Sequence, residues 1–215
     1  MHNPKPLIVV CGGGFAREVI WLARDCADEW QIVGILDDTE ALQGCEICGV
    51  PVLGPVTDWF KYASSWFVVA LGLPRSREEV VSKMEGLGNV QFATLIHPSV
   101  CKSQYVEVGE GSIVAAGAIL TTQISLGKHV IINLGCTIGH DSVLGDFCTL
   151  APQVAISGNV TLGRRVEIGT AAMLRPGITV GANSFVGMGS AVTKDLPKHV
   201  YATGNPAQVA KELNE

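Results

Sequence analysis

Basic charge, long apolar runs and patterned cysteines are all missing from this chain of 215 residues. Charged residues make up 16% and lean acidic, with a formal net charge of −5, so there is no basic patch of the kind that draws a protein to nucleic acid. No apolar stretch approaches the roughly 20 residues of a membrane-spanning helix. The apolar start Leu7-Ile8-Val9-Val10 stops at Cys11-Gly12, too short for the core of a secretion signal. Seven cysteines are scattered without framework spacing, which excludes a disulfide scaffold and predicts a reducing, cytoplasmic setting. The second half also lacks any helical period and any inserted loop.

What that half has is a repeat of six. Stepping six residues at a time from Val108, through Val114, Leu120, Leu126 and Ile132, every position to Val192 is aliphatic. Four positions later stands a second residue, often small, as at Ser112, Ala118, Cys136, Ser142 and Cys148. Glycine often follows the aliphatic directly, as at Gly109, Gly127, Gly139 and Gly163. This is the hexapeptide signature of a parallel β-helix. Each hexapeptide supplies a short strand and a corner, and three close a triangular coil. One coil cannot bury its apolar side, so coils must stack. An uninterrupted register leaves only the outer faces, a neighbouring subunit or the other domain to hold a ligand.

The first half alternates strands and helices, the pattern of a small parallel α/β sheet. Leu7–Val10 reads as a buried strand running into Gly12-Gly13-Gly14 and then a helix from Phe15 to about Cys26. Gln31–Leu36, Val50–Leu53, Trp66–Leu71 and Val90–Leu95 read as strands, Val56–Ala63 and Arg75–Leu87 as helices. The predicted boundaries are an α/β domain over 1–95, the β-helix over 96–197 and a C-terminal cap over 198–215, with a terminal helix near Gln208–Leu213.

The glycine run follows a strand and opens a helix, where backbone N–H groups can approach a phosphate or ribose closely. As a dinucleotide fingerprint it fails, because Arg17 stands where the third glycine belongs. Asp37-Asp38 and Gly72 end the next strands, where α/β sheets bind ligands; an acidic turn or cap is the plainer role for the aspartates. His140-Asp141 sits two residues past an inward aliphatic, on an outer edge. Imidazole is the natural general base near neutrality, and an adjacent carboxylate fixes its tautomer. The alternative is a solvated polar pair. His129 reads as a solvated corner and His97 as a structural polar residue. Three histidines do not converge in the coils, so no metal site is expected. Cys45-x-x-Cys48 lacks a second ligand pair and reads as a hairpin, while Cys136 and Cys148 read as core.

The Gly-rich first turn, Leu36-Asp37-Asp38, Ala70-Leu71-Gly72, Ile138-Gly139-His140-Asp141, Gly158-Asn159-Val160 and Gly204-Asn205-Pro206-Ala207 together resemble one family across nearly the whole chain. It is that of the bacterial nucleotide-sugar acetyltransferases of the left-handed β-helix superfamily, bacillosamine- and perosamine-type N-acetyltransferases and sialic acid O-acetyltransferases among them. The resemblance implies a left-handed helix, a homotrimer with sites between subunits, and acetyl-CoA as co-substrate. It implies His140 as base with Asp141 supporting it. It places Gly13, Gly14, Phe15, Asp37, Asp38 and Gly72 on a nucleotide-sugar, and Thr149, Gly158, Thr170 and Met188 on the cofactor. Phe15 and Thr149 depart from the family, which usually has histidine after the glycine turn and often has one at the second position. The expected reaction is acetylation of a sugar amine. Acetylation of a sugar hydroxyl and a non-catalytic nucleotide-sugar-binding solenoid are the alternatives.

Overall fold

Residues 3–213 are described by a computed structural model, which divides into two units, Met1–Pro98 and Ser99–Glu215. In the first unit the chain runs β1 (Lys5–Val10), α1 (Gly14–Asp25), β2 (Trp30–Leu36), β3 (Glu46–Ile47), β4 (Val50–Gly54), β5 (Trp66–Val69) and α2 (Pro74–Leu87). The sheet order is β3-β4-β2-β1-β5, parallel throughout except for the β3–β4 hairpin. Leu7 to Val10 are fully buried, as in a central strand covered on both faces. α1 packs through Ala16, Val19, Ile20 and Ala23, one stripe at helical spacing.

Two expectations change here. Val56–Tyr62 is a 3-10 helix, in which the buried pair Val56 and Trp59 lies three residues apart, one turn of that tighter helix. The expected strand at Val90–Leu95 is reduced to one bridge, Phe67 with Phe92, and a short strand at Leu95–Ile96. β5 has only four residues and offers little edge to pair with. The β3–β4 hairpin closes through Cys48 (φ 50°) and Gly49 (φ 72°), the paired positive φ of a type I′ turn. Extended backbone between Cys45 and Cys48 sets them about 10 Å apart, beyond disulfide reach.

In the second unit the repeat of six becomes a pairing offset of eighteen. Leu120 lies on Ile138, Ile138 on Ile156, Ile156 on Leu174, and Leu174 on Val192. The other two faces stack Val114, Ile132, Leu150, Ile168 and Val186, and Val108, Leu126, Leu144, Leu162 and Val180. From Val114 onward these side chains are buried. The small residues four positions later tie the coils together. The Ser142 hydroxyl donates to the Ser157 carbonyl (3.2 Å) and accepts from the Val160 N–H (3.3 Å). Buried Cys136 and Cys148 donate from Sγ to the carbonyls of Ala151 and Gly163.

Each corner turns at the third residue after the aliphatic, with positive φ whatever the residue: Gln123, His129, Asp141, Phe147, Asn159 and Ala171 all lie between 54° and 62°. The glycines just after the aliphatic serve a different need. A Cβ on Gly139 would lie 2.5 Å from the Gly158 nitrogen on the next coil. The stack ends in Val200–Gly204, which pairs in parallel with Phe185–Val186, and then Ala207–Glu212, which folds back antiparallel. The expected terminal helix is therefore a strand. Antiparallel main-chain pairing to Val200–Gly204 outweighs the weak helical pattern of Gln208–Leu213.

Candidate active site

His140 and Asp141 occupy a corner of the prism. Asp141 is the residue of positive φ (59°), and the turn swings its carboxylate back toward its neighbour. His140 Nδ1 lies 2.6 Å from Asp141 Oδ2, and both side chains stay more than half exposed, at 58% and 52%. A carboxylate only accepts, so Nδ1 carries the hydrogen, and in the neutral ring Nε2 presents its lone pair. The ring lies over Gly158, one coil further on, and a Cβ there would fall 2.6 Å from Nε2. Gly158 leaves room for the imidazole, and its own φ does not demand glycine. Gly158→Ala is therefore expected to keep the fold and displace the ring. Turnover should fall about 10–100-fold with melting temperature nearly unchanged, as CoA-release kinetics and calorimetry would measure.

The other histidines stand differently. His129 is buried, 2% exposed, stacked on Phe147 at 5.1 Å with its ring against Gly111, so it is not the solvated corner its position suggests. The positive φ of its corner folds the ring onto the column of residues beside it. His97 Nε2 lies 3.0 Å from Asp25 at the end of α1. Among the described residues, no group of three His, Cys, Asp or Glu side chains is placed to hold a metal ion.

The residues assigned to the cofactor divide between two edges of the prism. Gly158 shares the His140 corner. Thr170 and Met188 lie one above the other at the preceding corner, linked by the Gly189 N–H to the Thr170 carbonyl (2.8 Å), and Met188 is 75% exposed. Ala116, Leu134 and Pro152 continue that edge in the same register, making it largely apolar. Thr149, on the face leading to that edge, is buried. One face, carrying Thr137, Ala155, Met173 and Ala191 outward, separates this edge from His140.

In the first unit, the three predicted segments converge. Val10 pairs with both Leu36 and Val69, so Cys11–Gly14, Asp37–Thr39 and Ala70–Gly72 leave the same edge of the sheet side by side. Asp37 is committed to the fold there: it accepts the Gly12 N–H (2.6 Å) and the Thr39 N–H (2.7 Å). Burial pushes its carboxyl up, but these bonds outweigh burial and hold it below the usual carboxylate value. A depressed pKa contributes stability above the ordinary carboxylate range, and that contribution disappears as pH falls through the depressed value. Melting temperature should therefore decline more steeply below pH 4 in the wild type than in Asp37→Asn. Asp38 accepts the Val56 N–H (2.7 Å) and pairs with Lys83 (3.1 Å). Burial, then the charges of Asp37 and Asp38, push the Cys11 thiol up to about 12 against the pull of Lys83, so it remains a neutral thiol.

The glycines of this edge sort into two kinds. Gly12 is glycine for packing, because a Cβ would meet Ile47 Cδ1 at 2.7 Å. Gly13, Gly14 and Gly72 have open space where a Cβ would project, and none has positive φ. The fold does not require glycine at those three. Gly13 precedes α1, whose N-terminus has no side-chain cap, and Phe15 is half-buried in its first turn. Sequence reasoning missed Arg77, which is fully buried and donates from Nη1 to the carbonyls of Leu71 (2.6 Å) and Gly72 (2.9 Å). The signal was present: Pro74, Arg77, Val81 and Met84 form the buried stripe of α2, and one member of that stripe is charged.

A search of curated proteins finds no match. Residues 6–84 match the family model of the PglD N-terminal domain. Perosamine N-acetyltransferase from Caulobacter crescentus, solved with CoA and GDP-perosamine, is 35% identical over 96% of this chain and 97% of its own, with a TM-score of 0.88. The chain belongs to the nucleotide-sugar N-acetyltransferases of the hexapeptide-repeat superfamily. The acetyltransferase domain of PglB from Neisseria gonorrhoeae, solved with acetyl coenzyme A, is 32% identical over 96% of this chain and 99% of its own, at a TM-score of 0.89. WeeI from Acinetobacter baumannii is 30% identical over 94% and 98%, at 0.83. Family membership makes the stacked coils described above a left-handed β-helix, a hand that the general preference for right-handed crossovers would not suggest.

Proposed function

We propose that this acetyltransferase moves the acetyl group of acetyl-CoA to the amine of a nucleotide-linked amino sugar. The observation that carries the reading is the His140–Asp141 pair, its imidazole more than half exposed at a corner with Nε2 over Gly158. As the amine attacks the thioester carbonyl, a C–N bond forms and the C–S bond breaks. His140 Nε2 takes the amine proton, Asp141 steadies the imidazolium, and CoA leaves as a thiolate that needs no strong acid.

The chain's own surface fits a long acyl-CoA arm. The edge running from Leu134 through Pro152 and Thr170 to Met188 is continuous and mostly apolar. That edge and His140 flank opposite sides of one face, which favours a site completed by a neighbouring copy. The outward residues of this face include Ile119 and Met173, large, apolar and about half exposed. The form we propose is a homotrimer working in the cytoplasm, with this face between copies. The nucleotide-sugar belongs at the sheet edge of the first unit, against Gly13, Gly14, Phe15 and Gly72. Asp38 is exposed enough to meet it, and Asp37 holds the turn.

The test is CoA release measured with UDP-, GDP-, dTDP- and CMP-linked amino sugars beside their hydroxyl counterparts. Turnover with an amino sugar supports the reading. Turnover only with hydroxyl sugars makes the enzyme an O-acetyltransferase. Nucleotide-sugar binding without CoA release would leave a non-catalytic solenoid.

A further inference from the structure

Arg77 stands where an amphipathic helix calls for an aliphatic residue. Its neighbours on the buried face of α2 are Pro74, Val81 and Met84, and Arg77 itself is completely buried. Burying a guanidinium is unfavourable unless its donors are satisfied, and an apolar side chain of similar volume would often serve stability as well or better. Here Nη1 bridges two successive carbonyls, Leu71 and Gly72, on the loop between β5 and α2. That loop leaves the sheet edge beside the glycine turn, and Gly72 has open space above its Cα.

We infer that Arg77 is a positioning residue for the nucleotide-sugar. It fixes the Leu71-Gly72 backbone so that Gly72 presents a flat, preformed wall to the ligand. This rests on the nucleotide-sugar reading of that edge. It goes further in assigning a buried charge on α2 to substrate affinity rather than to folding. A preformed loop removes an ordering cost from binding, so its loss appears in KM for the sugar nucleotide. It leaves the chemistry at His140 alone.

The experiment compares full-length wild type, Arg77→Met and Arg77→Lys with the amino-sugar nucleotide that gives the fastest turnover. Arg77→Met is expected to melt within a few degrees of wild type, because methionine suits the buried stripe. Its KM for the sugar nucleotide should rise about tenfold, with kcat and the KM for acetyl-CoA within about twofold. Arg77→Lys, which keeps a donor, should recover part of that loss. An unchanged KM in both variants, with or without lower stability, overturns the proposal and makes Arg77 purely structural. Should Arg77→Met fail to fold, hydrogen exchange in the wild type decides: protection of residues 71–74 on adding the sugar nucleotide supports the proposal, and unchanged exchange there overturns it. A wild type inactive and unprotected with every sugar nucleotide overturns the functional reading itself, and this proposal with it.

Discussion

Replacing His140 by alanine is expected to lower turnover about 10²–10⁴-fold, the usual contribution of a positioned general base. Affinity for acetyl-CoA should change little. The side chain is more than half exposed and its hydrogen bond is to Asp141, so truncation leaves no cavity in the core. The two parameters separate because the base acts only as the proton moves. A group that contributes to the transition state and not to ground-state binding shows its loss in kcat. Steady-state CoA release, with calorimetric titration of the cofactor, measures both. Unchanged turnover would end the mechanism. Asp141→Asn should fall between wild type and His140→Ala, because an amide can present its NH2 to Nδ1 and disturb the tautomer.

Leu150→Ala is expected to destabilise the β-helix by about 2–5 kcal/mol, the range for emptying a buried leucine position. Leu150 is fully buried and sits midway in its column, between Ile132 and Ile168. In a stacked solenoid each coil touches only its neighbours, so a cavity at the middle weakens two interfaces at once. The melting temperature should fall by about 4–20 °C, by the usual conversion of free energy to temperature for a chain of this size. Calorimetry on the full chain would show it. A drop below about 2 °C would mean that the inward column does not carry the stability.

The β-helix was legible because its period is imposed by geometry at every residue. An inward aliphatic at Leu120 must find another at Ile138, and no local compensation substitutes for it. His140 was legible for the same reason: its phase relative to Ile138 fixes that it stands outside. His129 shows the limit of phase alone. It has the same phase as Asp141, three past an aliphatic, yet its ring folds back onto Phe147 and Gly111, which only neighbouring columns determine. The terminal strand was missed because its antiparallel partner, Val200–Gly204, is itself held in place by the last coil at Phe185–Val186, which no local pattern announces. Asp37-Asp38 was found as a position, but not its internal use. Two carboxylates at a strand end look alike in sequence whether they meet a ribose or the backbone amides of Gly12 and Val56.

Because every coil consumes eighteen residues and advances by one strand spacing, about 4.8 Å, the prism can lengthen or shorten only in whole turns. Losing six residues would rotate every later face by a third of a revolution and carry the Met188 edge away from its place relative to His140. Losing eighteen would merely lower it by one rung. Length variation in this half of the molecule is thus quantised, and the height of the imidazole along the stack is a whole-number property of the chain.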